Sequence, residues 1–331
     1  MSEPPHFTRI AVLGAGAWGT ALTLTLLSAR RQALLWVRED DVLASIQSKH
    51  ANPFLPGIAL PENLNVTGDL AEAAKAEALL LAVPAQRLRD FAQKLAPLIK
   101  PGTPLVICAK GIEKNSGKLV HEVVAETIPG AKLAILSGPS FARDVALGLP
   151  TAVTIAAKDN AARLQQSLSA PALRPYASDD VTGVALGGAA KNVYAIACGV
   201  VEGLGLGENA RAALLARSFA ELARLGETLG AKRETLMGLS GLGDLVLTAT
   251  SKSSRNFSFG VELGQGKTVA QLSAPGTPLA EGVDTAPALV ARARAMKIEL
   301  PIAEAMADLI TGALPLNEAM ARLMTRKLTS E

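Results

Sequence analysis

The segment Arg9-Ile10-Ala11-Val12-Leu13-Gly14-Ala15-Gly16-Ala17-Trp18-Gly19 constrains this chain more than any other stretch. A short apolar run stops at a cluster of glycines, and a periodic apolar segment from Thr20 to Ala29 follows at once. That order predicts a strand, a tight turn and a helix, the arrangement in which a dinucleotide pyrophosphate rests on a helix N-terminus. Gly14 permits the turn, Gly16 lets backbone approach the pyrophosphate, and Gly19 lets the helix pack on the strand. The N–H groups that open a helix have no partners within it and suit phosphate. Glycine turns between strand and helix also occur for packing alone, so the correct flanks carry the reading as much as the glycines do.

A second strand is expected over Ala33 to Val37, and its end is where an acid usually takes the adenosine ribose hydroxyls. Arg38 stands there instead. A guanidinium can pair with a 2′-phosphate, which favours NADP(H) as cofactor and leaves NAD(H) open. The other reading leaves Arg38 in solvent and gives the ribose to Glu39 or Asp40. Apolar runs at Ala78 to Val83, Pro104 to Ala109, Ala134 to Leu136, Ala152 to Ala156 and Arg174 to Ala177 predict further strands. Helical patterns through Leu88 to Leu98 and Lys118 to Thr127 separate some of them. Strands alternating with helices predict an α/β, Rossmann-type, doubly wound and mostly parallel sheet.

From Val181 the strand signals end and apolar helical patterns follow one another, which predicts an all-α C-terminal domain. The expected division is residues 1–180 for dinucleotide binding and 181–331 for substrate. Leu215, Phe219, Leu222, Leu225 and Leu229 mark a core helix, with Arg217 and Glu221 as an i, i+4 pair. Asp284 is expected to cap one further helix and Pro301 to open another.

With 331 residues, 49% of them hydrophobic, the chain is too long for one average domain and too apolar for disorder. Its 33 basic and 30 acidic side chains are scattered, which argues against nucleic acid as a partner. Cys108 and Cys198 lie apart in apolar runs, suggesting neither disulfide nor thiolate site and a reducing compartment. No apolar stretch of membrane-spanning length lacks a polar break, and Met1 to Thr8 does not read as a secretion signal; a cytoplasmic protein is expected. His6, His50 and His121 have no second His at helical ligand spacing, so no metal is expected.

Two domains in this order imply a substrate cleft between them, and the groups sought are a proton donor and an anion clamp. Lys191 is an isolated ammonium in the small, apolar run from Val184 to Gly199. An unpaired buried lysine is expensive, which points to a partner or a task. Beside a substrate hydroxyl it can take the proton during oxidation and return it during reduction, if burial and a neighbouring cation such as Lys110 bring its pKa down from ~10.4. The bland alternative is a lysine that reaches solvent at a helix end. Asp244 sits among glycines and leucines where its carboxylate could orient the lysine, with Thr248 one helical turn later on the same face. Ser254-Arg255-Asn256 offers a guanidinium fork, a hydroxyl and backbone donors for a phosphate dianion. Asp244 as a simple helix cap and Arg255 as a plain surface charge remain open.

Taken in order, these motifs resemble the bacterial-type NAD(P)-dependent sn-glycerol-3-phosphate dehydrogenases. The resemblance runs from Gly14-Ala15-Gly16-Ala17-Trp18-Gly19 through Asn52-Pro53-Phe54-Leu55-Pro56-Gly57, Lys110-Gly111-Ile112-Glu113, Gly138-Pro139-Ser140-Phe141-Ala142, Ala190-Lys191-Asn192 and Gly241-Leu242-Gly243-Asp244 to Ser254-Arg255-Asn256 and Glu281-Gly282-Val283. It implies reversible reduction of dihydroxyacetone phosphate to sn-glycerol 3-phosphate, a phospholipid precursor, in a homodimer. It implies Lys191 as proton acceptor in the oxidation direction. It places Lys110, Gly138, Ser140, Asp244, Ser254, Arg255 and Asn256 at the substrate, Arg255 and Asn256 at its phosphate, and Asn192 and Thr248 in support at the hydroxyl end. For the cofactor it adds Ala17, Trp18, Arg38, Lys110, Ala142, Arg255, Leu279 and Glu281 to the glycines. Ala17 stands where serine is commoner, Ala190 where leucine is, and Phe257-Ser258 where basic residues are. A carboxylate-binding ketone reductase of the same plan is the rival enzyme, and a cofactor-binding sensor without turnover is the rival of another class.

Overall fold

Eight strands make one sheet: β1 (Arg9–Leu13), β2 (Gln32–Trp36), β3 (Asn65–Thr67), β4 (Ala78–Leu81), β5 (Pro104–Ile107), β6 (Lys132–Ser137), β7 (Thr151–Ala157) and β8 (Leu173–Ser178). The computed structural model describes residues 6–274, 276–277 and 279–325. The strand order is β3-β2-β1-β4-β5-β6-β7-β8, and every neighbouring pair is parallel except β6 with β7. β4 reads ALLL and β5 PLVI, and both are buried along their whole length, as strands covered on two faces must be. β3 is a three-residue edge strand, Asn-Val-Thr, and no local pattern marks it; β2 pairs it through Leu34 to Trp36. After β6 the turn at Gly138 and the five-residue helix Ala142–Ala146 return the chain to the end it left, so β7 runs antiparallel.

The chain divides into two compact units, one of residues up to Lys110 with Val120–Ala185, the other of Gly111–Leu119 with the described residues from Leu186 on. The first holds the sheet and its flanking helices. The second is helical, and the segment Gly111–Leu119 belongs to it: Ile112 and Leu119 form an isolated antiparallel bridge and are fully buried in the helical core. Arg292 donates to the Gly117 carbonyl at 2.9 Å, and Lys114 lies 3.5 Å from Asp284.

The helix Val181–Gly203 contains an 18-residue window with a mean hydropathy of 1.5 and, among the described residues, is long and apolar enough to cross a membrane; that window is buried throughout, as in a core helix. Small residues let a second helix, Arg255–Gly264, approach it so closely that a Cβ on Gly260 would lie 2.1 Å from the Ile196 carbonyl oxygen.

Two local expectations give way to tertiary structure. Glu221 does not serve as the surface partner of Arg217: it is 3% exposed and accepts from the N–H groups of Ile302 and Ala303 at 2.7 and 3.2 Å. It thereby caps the helix Pro301–Thr311, which Pro301 opens and no side chain of its own caps. Asp284 is not a cap either, because the helix Glu281–Ala295 starts a turn earlier with Ala280 as its N-cap.

Candidate active site

In the sheet unit the glycine turn follows β1. Gly14 has φ of +119°, and a Cβ there would lie 2.7 Å from the Ala82 carbonyl oxygen; a Cβ on Gly19 would meet the Gly14 oxygen at 1.9 Å. Both glycines are therefore required by the backbone's own packing. Gly16 differs, since a Cβ there would meet nothing within 4 Å. Its open side adjoins the first turn of the helix Ala17–Ser28, which Gly16 caps without any side-chain hydrogen bond and which has no acid in that turn. Trp18 Nε1 is buried with no hydrogen-bond partner among the described residues. An open approach, uncapped N–H groups and an orphaned indole N–H fit a bound dinucleotide pyrophosphate.

Asn52 holds this turn in place, a role that reasoning from the sequence does not assign to it. It is 2% exposed; its Nδ2 donates to the Ala15 carbonyl and to Thr20 Oγ1, both at 2.8 Å, and its Oδ1 accepts from the Phe54 N–H at 2.9 Å. The Asn-Pro pair marks a turn, but only the fold shows what the turn supports.

Arg38 follows β2, exposed, and donates through Nε to Glu39 Oε1 at 2.7 Å and through Nη2 to the same oxygen. The two rival candidates for the ribose end thus hold each other. Beyond β5 and β6, Lys110 Nζ and Ser140 Oγ both donate to the Gly138 carbonyl at 3.1 Å. Gly138 has φ of +149° and no room for a side chain, as a Cβ would sit 2.8 Å from Val153 Cα. Ala142 opens the short helix that follows.

In the helical unit Lys191 is buried, 7% exposed, midway along its helix. Its Nζ donates to Asp244 Oδ1 and, at 2.9 Å, to Thr248 Oγ1, while Thr248 lies 3.3 Å from the same carboxylate oxygen. Asp244 is fully buried in the first turn of the helix Asp244–Thr250, which puts Thr248 one turn on and on the same face. Two buried opposite charges with a hydroxyl between them meet the condition for keeping an ammonium out of water. This lysine does not reach for solvent.

The neighbouring candidates brace the same region. Asn256 Nδ2 donates to Asn192 Oδ1 at 3.0 Å, and Asn256 Oδ1 accepts from the Gly282 N–H at 2.9 Å. Ser254 is the N-cap of the helix Arg255–Gly264, its Oγ accepting from the Phe257 N–H. Arg255 is exposed at the first position of that helix beside buried Asn256. Leu279 is half exposed, and Glu281 begins the helix Glu281–Ala295. Among the described residues no group of His, Cys, Asp or Glu is placed to hold a metal ion.

A dinucleotide turn in a doubly wound sheet, followed along the chain by a helical unit with a buried lysine pair, defines the class of nicotinamide-dependent dehydrogenases. Comparison narrows the class. Residues 9–163 match the family model described as NAD-dependent glycerol-3-phosphate dehydrogenase N-terminus, and residues 180–321 match the corresponding C-terminus. A glycerol-3-phosphate dehydrogenase [NAD(P)+] of Parvibaculum lavamentivorans is 53% identical over 328 residues, 98% of each chain. The crystal structure of glycerol-3-phosphate dehydrogenase from Coxiella burnetii is similar with a TM-score of 0.92 at 37% identity, covering 98% of this chain and 100% of that one. A ketopantoate reductase from Ralstonia eutropha, with a TM-score of 0.57 and 15% identity over 95% of this chain and 99% of its own, shares the fold alone. The chain belongs to the NAD-dependent glycerol-3-phosphate dehydrogenase family.

Proposed function

We propose that the chain interconverts dihydroxyacetone phosphate and sn-glycerol 3-phosphate with NAD(P)H, using Lys191 as the proton-transfer group. The observation that carries this is the buried contact of Lys191 with Asp244 and Thr248 in a member of this family. Bound NAD(P)H supplies a hydride to substrate C2. The Lys191 ammonium gives its proton to the carbonyl oxygen as the C=O bond becomes C–O–H, and the resulting amine takes it back in oxidation. Asp244 and Thr248 fix the direction of Nζ, and Asp244 offsets the charge of the ammonium before transfer.

Lys110, Gly138 and Ser140 present two donors around one carbonyl, and Arg255 with Ser254 and Asn256 supplies the cation and helix N-terminus for the substrate phosphate. Asn192 supports the hydroxyl end through Asn256. Gly14, Gly16, Ala17, Trp18 and Gly19 receive the cofactor pyrophosphate, with Ala142, Leu279 and Glu281 along the rest of the cofactor. Arg38, released from Glu39, takes a 2′-phosphate and sets a preference for NADPH. The product serves phospholipid synthesis, and the working form is a cytoplasmic homodimer with no nucleic-acid or membrane partner.

Reduced-nicotinamide absorbance followed with purified protein, dihydroxyacetone phosphate, and NADPH or NADH in parallel tests the reading. Oxidation that requires the phosphorylated ketone and disappears in Lys191→Ala is the expected result. Cofactor binding without oxidation of NADPH or NADH sinks it and makes carboxylate-bearing ketones the next substrates.

A further inference from the structure

We propose that the sheet unit carries a second anion site, for a compact di- or triphosphate group, at the amino-terminal edge of the sheet. An open hollow of about 400 Å³ lies there, bordered by Arg9, Lys75, Lys100, Lys132 and Arg163, with Glu77 as the one acid in its lining. Arg9 opens β1 and Lys132 opens β6, whereas the glycine turn follows the last residue of β1. The hollow is thus at the opposite end of the parallel strands from the dinucleotide cradle.

The hollow carries a large excess of positive charge. Five cations and one carboxylate leave +4 around one small hollow, against +3 for the whole chain. Glu77 is already engaged: it accepts from the Thr8 and Arg9 N–H groups at 2.8 and 3.3 Å and lies 3.7 Å from Arg9 Nε. Among the described residues Lys75, Lys100 and Lys132 have no ion pair. Like charges gathered without counter-charges repel, and a polyanion relieves that repulsion.

Arg163 is held where its own helix disfavours it. It is the third residue of the helix Ala161–Leu168, where a positive side chain opposes the helix dipole. The N-cap, Asn160, has φ of 57° and provides no side-chain cap. The guanidinium is pinned over the Phe7 ring, 3.8 Å from its centroid, and Nε is buried without a hydrogen-bond partner. Asn160 and the Arg163 guanidinium both border the hollow, and an anion bound there offsets the adverse cation.

The donor set selects the ligand class. A guanidinium fixed over an aromatic ring matches phosphate oxygens, while ammonium groups on flexible stems add charge at the rim. An excess of four positive charges suits a di- or triphosphate better than a single carboxylate. The volume falls within the range of small-ligand sites.

Isothermal titration of inorganic pyrophosphate into the full chain, kept saturated with NADPH and sn-glycerol 3-phosphate, tests the site. Both ligands are reduced, so they fill the reaction site without turning over. One equivalent of pyrophosphate is expected to bind, more weakly as salt is added. Lys100→Glu with Lys132→Glu, two exposed changes, should weaken that binding at least about ten-fold and leave kcat and the KM for dihydroxyacetone phosphate unchanged. Arg163→Ala should weaken it similarly. Absence of binding in the saturated protein overturns the proposal, as does an affinity that the charge reversals do not alter. Binding seen only without NADPH and glycerol phosphate also overturns it, since the anion is then in the reaction site.

Discussion

At the residue scale the decisive group is a lysine whose surroundings leave it no role as a surface charge. Burying an ammonium costs several kcal/mol unless it is paired, and Lys191 has Asp244 and Thr248 within reach. Lys191→Ala should lower kcat by at least ~100-fold while NADPH binding stays nearly intact, because the glycine turn lies in the other unit. The variant leaves Asp244 buried without its counter-charge, so its melting curve is recorded first and kinetics are read on folded protein. Near-normal turnover removes Lys191 from the chemistry. A second residue-scale prediction concerns Arg38, whose guanidinium now rests on Glu39. Arg38→Asp should shift the ratio of kcat/KM values from NADPH towards NADH by about ten-fold or more, the worth of a charge-assisted contact. An unchanged ratio shows that the 2′-phosphate is read elsewhere.

At the scale of elements, the glycine turn is held from outside as well as built from within. Asn52→Ala removes two donations, to Ala15 and Thr20, from beneath the turn. NADPH binding, followed by fluorescence titration, should weaken about ten-fold, with kcat at saturating cofactor little changed. Unaltered affinity means that Gly14 and Gly19 hold the turn unaided. The same elements show where a sequence can be read and where it cannot. β1, its turn and its helix are legible because apolar run, glycines and periodicity are all local. Lys191 is legible as the lone charge in an apolar run, and Thr248 follows from Asp244 by one helical turn. β3 is not legible, because three residues of which two are polar become a strand only when β2 offers its edge. Nor is the insertion of Gly111–Leu119 into the helical unit, which depends on burying Ile112 and Leu119 far from their sequence neighbours. Glu221 misleads for a related reason. Its i−4 arginine is a neighbour one helical turn away, yet helix N–H groups some eighty positions away are what its carboxylate meets.

At the scale of the whole molecule Glu221 links pH to stability. Burial, the largest influence, raises its carboxyl from 4.5 to about 7, while the N–H groups of Ile302 and Ala303, Arg224 and Tyr194 pull the other way. A carboxyl harder to ionise in the fold than in the unfolded chain leaves stability intact below the ordinary carboxylate range. As pH rises from 4.5 to about 7 the unfolded chain releases the proton first, and stability falls until the folded carboxyl has ionised as well. Glu221→Gln keeps an acceptor for the helix N-terminus and cannot ionise. The stability of the natural chain relative to this variant should therefore decline between pH 5 and pH 8, by on the order of 3 kcal/mol. Denaturant unfolding of both proteins at the two pH values measures it, and the subtraction cancels every other titrating group. A difference that stays constant with pH shows that the fold holds Glu221 as readily ionised as water does, with the N–H groups and neighbouring side chains balancing its burial.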